Sequence, residues 1–137
     1  RGDYRYELAR SELALGHWSQ ALPLLRQAAD ELEQAAGGAH PFAIHARALA
    51  AFTEWRLGAA APAIGLRLAE YAAAMDELGL GGLDEAAEIV LMRSQLAAAQ
   101  GDALQARELA ARAAGRYADL RIGAPTWLGT DADLTRR

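Results

Sequence analysis

Residues 13–32 read LALGHWSQALPLLRQAADEL, and this stretch decides the fold. Apolar residues on both sides of its centre recur at spacings of three and four, which is typical of helices that bury one face. Between the two periodic runs stands Gly16-His17, and glycine can end a helix without the steric penalty of a Cβ atom. Ala21 follows five residues after Gly16, and its small side chain lets a second helix pack closely on the first. The stretch therefore predicts two antiparallel helices joined by a tight turn.

The same arrangement recurs twice along the chain. Gly58-Ala59 and Gly101-Asp102 stand at equivalent joints, and the three joint glycines are separated by 42 and 43 residues. A small residue lies seven positions before each glycine, and an alanine lies five positions after it. The pattern predicts three stacked helix pairs, because one pair alone cannot bury both of its faces. The residues that it assigns to the packing within the pairs are Ala9, Gly16, Ala21, Ala51, Gly58, Ala63, Ser94, Gly101 and Ala106.

Composition also favours an all-α fold. Ala and Leu supply about two-fifths of the 137 residues, and both lose little free energy on entering a helix. We expect a right-handed α-solenoid of three antiparallel helix pairs, with a repeat domain over residues 1–120 and a C-terminal tail or cap over residues 121–137. The repeats are expected at about 3–37, 40–79 and 83–120. Six helices are predicted, at 3–16, 19–36, 41–57, 61–78, 83–100 and 103–120.

Charge and residue usage exclude several classes of partner. Fourteen arginines and 18 acidic residues give a net charge of −4, so no broad cationic face is available for nucleic acid. The chain has no cysteine, which excludes disulfides and thiolate chemistry. Its apolar stretches are too short to span a membrane. We therefore expect a cytoplasmic protein with no membrane or nucleic-acid partner, and the first residue, Arg1 rather than Met, indicates a fragment of a longer chain.

No pattern of catalytic residues is present. His17, His40 and His45 lack the i, i+4 spacing of a helical metal pair, and His40 stands at a predicted helix start, where its ring can bond to the backbone. The glycine-rich segment over residues 79–82 joins two helices and follows no strand, so it is not expected to hold phosphate. The sequence predicts no enzyme, no cofactor and no metal site.

The joints resemble those of tetratricopeptide repeats. Residues 13–32 and 96–113 are similar to the crossing from the first to the second helix of that repeat. Residues 36–58 resemble the 42-residue variety found in kinesin light chains and many bacterial regulatory proteins, where a Gly and a His-Pro pair precede the first helix, here Gly38, His40 and Pro41. The resemblance covers about residues 4–120. It departs from the family where alanine replaces the aromatic after the second and third joints. HEAT or armadillo pairs are the structural alternative.

The resemblance implies that the first helices of the pairs line a concave face that binds a protein or peptide. The function expected is a non-catalytic binding module of a larger bacterial signalling or regulatory protein, whose partner is another protein or a neighbouring domain of its own chain. Phe52 and Trp55 also fit a core role, since aromatics at helical spacing usually pack inside. The concave-face residues implied by the resemblance are Tyr6, Arg10, Phe52, Trp55, Arg56, Met92 and Gln95.

A structural role is the alternative function. The tail carries Trp127-Leu128, which is expected either to cap the last helix pair or to leave it uncovered. In the second case Tyr117 and Leu120 would be exposed, and the end of the array would support a homodimer.

Overall fold

A computed structural model describes residues 2–128, and this part of the chain is all-helical, with six α-helices and no strand. The all-α prediction is confirmed, and each helix lies close to its predicted position. None of the described helices is both long and apolar enough to cross a lipid bilayer. The helices are α1 (Gly2–Ala14), α2 (Trp18–Ala36), α3 (Pro41–Arg56), α4 (Ala61–Glu77), α5 (Asp84–Ala99) and α6 (Ala103–Leu120), followed by a 3₁₀ turn (Thr126–Leu128).

The three joints share one backbone geometry. Gly16, Gly58 and Gly101 have φ angles of 76°, 116° and 83°, in the region that residues with a Cβ atom rarely adopt. The residue after each glycine donates its backbone N–H to a carbonyl five positions earlier, at 2.9 Å in all three joints. This bond satisfies a carbonyl that the helix end would otherwise leave unpaired. The recurring glycine therefore has a conformational cause.

Small residues fill the contacts between neighbouring helices. Each helix packs on the next one along the chain, and α3 also packs on α5. Four of these small residues are fully buried: Ala9, Ala21, Ala51 and Ser94. Ala106 is nearly so, at 4% exposed. These positions behave as the repeat predicts, because larger side chains would hold the backbones apart. The nearest-neighbour contacts fit a stacked array of helices, while its right-handed sense stays a prediction.

The second joint corrects one predicted packing residue. Ala63 is exposed, so the prediction that it packs between the paired helices is wrong. Helix α4 begins three residues after Gly58, whereas α2 and α6 begin two residues after their joint glycines. The longer joint shifts the buried face of α4 by one position, and Ile64 is buried where Ala63 was expected.

Candidate functional site

One turn of each odd-numbered helix contributes a polar side chain to a buried row. Tyr6, His45 and Glu88 are each the fifth residue of their helices, α1, α3 and α5. His45 is 0% exposed and Glu88 is 2% exposed, and Tyr6 is also buried. Arg10, one turn further along α1, reaches the same carboxylate. We call Tyr6, Arg10, His45 and Glu88 the polar row.

Hydrogen bonds run through the polar row without a break. The Nε2 atom of His45 lies 3.2 Å from Oε1 of Glu88, and Nη2 of Arg10 lies 3.3 Å from Oε2 of the same residue. A carboxylate only accepts, so Nε2 carries the hydrogen and donates it. In the neutral ring Nδ1 is then an acceptor, and the Tyr6 hydroxyl donates to it. Each member is satisfied, and the row ties three helices together.

Burial and charge set the protonation of the row. Burial raises the pKa of Tyr6, with the carboxylates of Glu88 and Glu85 adding to the effect of burial and Arg10 opposing it. Burial is the largest single influence on Arg10 and disfavours its charge, but the charges of Glu88, Tyr6 and Glu7 together outweigh burial, so the pKa of Arg10 is raised. Tyr6 therefore stays a hydroxyl and Arg10 a cation at neutral pH. Because His45 is covered completely, the row orients helices rather than offering a base to a substrate.

A pair of acids borders the polar row at the start of α5. Burial and hydrogen bonding to Asp84 raise the pKa of Glu85 to about 7. The same hydrogen bond lowers the pKa of Asp84. The nearby hydroxyl of Tyr117, on α6, is buried without a hydrogen-bond partner among residues 2–128, and burial followed by the charge of Glu88 raises its pKa. The N-terminal end of α5 is therefore rich in closely spaced titratable groups.

Aromatic rings gather at the other end of α3, beside the start of α2. Phe52, near the end of α3, lies 6.1 Å from Trp18, 5.4 Å from Trp55 and 6.0 Å from Trp127 between ring centroids. Trp18 and Trp127 are 5.9 Å apart in an edge-to-face arrangement. We call Trp18, Phe52, Trp55 and Trp127 the aromatic cluster. The guanidinium of Arg56 lies over the Trp18 ring at 4.8 Å, a cation–π distance.

The C-terminal tail supplies one member of the aromatic cluster. Its 3₁₀ turn lies against α1, and Leu128 is 1% exposed. The tail thus folds back to the first and second repeats, so of the two arrangements expected for Trp127-Leu128 the structure does not show the cap over the last helix pair. Tyr117, expected to be exposed on an uncapped end, is buried, while Leu120 remains exposed. In this position Trp127 contacts the rings of Trp18 and Phe52, and aromatic pairs add stabilisation beyond their buried area. Residues 129–137 of the predicted tail lie outside the described part of the chain.

The residues predicted to bind a partner divide between the two ends. Arg10 and Tyr6 belong to the polar row, and Phe52 and Trp55 to the aromatic cluster with Arg56 beside them. The most accessible is Arg56, which is exposed, followed by the half-buried Arg10 and Trp55. The buried ones, which offer no accessible surface in the described chain, are Tyr6, Phe52, Met92 and Gln95.

The resemblance to tetratricopeptide repeats places His45 and Glu88 among the groove positions, but no pattern in the sequence predicts their hydrogen bond or the place of Trp127. His45 and Glu88 carry no recognisable spacing of their own, although each stands five residues into a first helix. Trp127 lies in a segment without helical period, so no pattern indicated where it would pack. The sequence signal available for the polar row was that Tyr6, His45 and Glu88 stand at the same position of equivalent helices.

Comparisons with known proteins assign no family. No family model, no curated protein and no solved structure matches the chain. Within residues 2–128, no three His, Asp or Glu side chains come together in a way that could hold a metal ion.

Proposed function

We propose that the chain is a non-catalytic protein- or peptide-binding module of the tetratricopeptide type, part of a larger bacterial, cytoplasmic signalling or regulatory protein. Its binding surface is formed by Trp18, Phe52 and Trp55 of the aromatic cluster, at the start of α2 and the end of α3. The observation that carries the proposal is the position of Trp127 and Leu128, because a short 3₁₀ turn of this chain already occupies that surface.

The chemistry of the aromatic cluster suits a short segment with an aromatic and an aliphatic side chain. Aromatic pairs add stabilisation beyond their buried area, by about 0.5–1.5 kcal/mol each. Trp and Arg are also the residues that dominate binding energy at interfaces. Arg56 is exposed and its guanidinium lies over the Trp18 ring, so it borders this surface.

The polar row stabilises the helices that carry this surface from the other end of α3. It joins α1, α3 and α5 through side chains that have few alternative partners, so these helices keep their spacing when the surface is occupied or vacated. A preformed surface binds more tightly than one that must be ordered during binding.

A peptide that covers residues 121–128 tests the proposal directly. The receptor is the full chain with Trp127→Ala and Leu128→Ala, whose own tail no longer fills the aromatic cluster. We expect the labelled peptide to bind this variant at least about tenfold more tightly than it binds the unmodified chain, measured by fluorescence anisotropy. The control is the same peptide with alanine at position 127. Equal binding of both peptides, or no binding to the variant, would contradict the proposal.

Self-association is a second candidate, favoured by apolar exposure after the last helix. Leu120 and Ile122 are 37% and 45% exposed, and they lie close together in the chain. Exposed apolar patches of this kind mark contacts between proteins. Light scattering over a concentration series distinguishes the two: a dimer that is lost on Leu120→Gln with Ile122→Gln supports self-association, whereas a monomer at all concentrations opposes it.

A further inference from the structure

A cavity away from the aromatic cluster lies among the last three helices. Its volume is about 360 Å³, within the range of small-molecule sites. Helices α4 and α6 both pack on α5, and the cavity lies between them. The side chains that decide its chemistry are Leu66 from α4, Arg93, Leu96 and Gln100 from α5, and Gln105 and Leu109 from α6.

Arg93 carries the charge among the residues that line this cavity. Burial and the neighbouring guanidinium of Arg112 lower the pKa of Arg93, and Asp76 opposes them only in part. Arg93 has no ion pair with an acidic side chain in the described part of the chain. In contrast, Arg47 pairs with Asp30 and Glu33.

In the first four helices, partly buried arginines form ion pairs with carboxylates. Arg10 is paired with Glu88 at 3.3 Å, and Arg67 with Glu54 at 3.2 Å. Both pairs join different helices and compensate the charge where it is shielded from water. Arg93 is half-buried beside a second guanidinium and lacks this compensation. An anion that binds there therefore gains more electrostatic stabilisation than it would on an open surface.

We propose that this cavity binds a small carboxylic acid with an apolar body, with the carboxylate on Arg93. The guanidinium presents a planar fork of donors that matches a carboxylate. The amides of Gln100 and Gln105 can donate to an oxygen at the same site. Leu66, Leu96 and Leu109 provide the apolar contact for the rest of the ligand. The site is independent of the aromatic cluster and of the proposed peptide binding.

Phenylacetate is the probe, with phenylacetamide as its neutral counterpart and inorganic phosphate as an anion without an apolar body. Backbone NMR spectra of the full chain are recorded during titration with each compound. We expect phenylacetate to shift the amide signals of Gly65, Gln100 and Gln105, and to bind at least about tenfold more tightly than either control. Equal binding of phenylacetamide or of phosphate, or shifts confined to other helices, would overturn the proposal.

Two substitutions of Arg93 separate charge from folding. Arg93→Met keeps the apolar stem and should lower the affinity for phenylacetate at least about tenfold, whereas Arg93→Lys keeps the charge but loses the planar fork and should lower it less than Arg93→Met does. The matched control is Arg107→Met, at an exposed arginine of α6 that does not line the cavity. Circular dichroism checks that each variant is folded. Unchanged affinity in a folded Arg93→Met variant would refute the assignment, and so would equal losses in Arg93→Met and Arg107→Met.

Discussion

The surroundings of α3 are built in different ways at its two ends. At one end, the polar row is closed by hydrogen bonds, and each group has a partner on another helix. At the other end, the aromatic cluster is completed by Trp127, which arrives from a tail without helical structure before its last turn. Directional bonds fix one geometry, while ring contacts tolerate a change of partner. The difference indicates that directional bonds fix the spacing of the helices at one end, whereas non-directional ring contacts complete the other end.

The largest effect is expected from removing the centre of the aromatic cluster. Phe52→Ala deletes a ring that is fully buried and contacts three others, so it should lower the free energy of unfolding by about 3–5 kcal/mol in urea titrations. Phe42 is the matched control, since it is 41% exposed, and Phe42→Ala should cost less than about 1 kcal/mol. Similar losses in both variants would show that the cluster is not the centre of the packing at this end.

A smaller effect is expected from the tail residue that completes the cluster. Trp127→Ala removes two ring contacts, with Trp18 and Phe52, and should lower the free energy of unfolding by about 1–3 kcal/mol. The fluorescence of the remaining tryptophans should move to longer wavelength as Trp18 gains water. Tyr4→Ala, at a ring that is exposed, is the control and should change neither quantity. A variant as stable as the parent would mean that the tail contributes nothing to this end.

The polar row is tested by a substitution that keeps shape and removes charge. Glu88→Gln brings an amide N–H₂ group toward the donors of Arg10 or His45, so one pair loses its hydrogen bond. We expect a loss of about 1–2 kcal/mol in the free energy of unfolding, moderated because Arg10 is partly exposed to water. Glu12→Gln, which affects an exposed pair with His17, should change stability by less than about 0.5 kcal/mol. An unaffected Glu88→Gln variant would contradict a structural role for the row.

The smallest effect expected is a pH dependence at the border of the row. The pKa of Glu85 is raised from 4.5 to about 7, so the folded state holds this proton more tightly than the unfolded state. Its contribution to stability is complete below pH 4.5 and is lost as the pH rises to about 7. We expect a loss of about 1 kcal/mol across this interval, because Asp84 and Glu85 share one proton. Glu85→Gln should abolish this slope and Glu77→Gln should retain it, as measured by urea titrations at several pH values.

The sequence predicts the helices better than it predicts their contacts. Apolar spacing and the joint glycines locate all six helices, because helix periodicity and positive φ are local properties. Ala63 is misplaced because a single extra residue in the second joint shifts a whole face, and alanines at positions 60, 61 and 63 give no apolar landmark.

The candidate site depends on contacts between residues that are far apart in the chain. Arg10 and Glu88 are 78 residues apart, and their pairing follows from the stacking of three helices rather than from any local motif. The place of Trp127 depends on where an irregular segment crosses the helices. Helical spacing allowed Phe52 either to pack in the core or to line the concave face. The contact with Trp127 of the tail decides in favour of burial.

The position of the tail in solution is the most direct test of this two-ended arrangement. Nuclear Overhauser spectra of the full chain should show contacts between the indole protons of Trp127 and the rings of Trp18 and Phe52, whose centroids lie 5.9 and 6.0 Å away. They should also connect Leu128 with side chains of α1. Trp127 signals at the shifts of an unstructured peptide, with no such contacts, would contradict an occupied aromatic cluster.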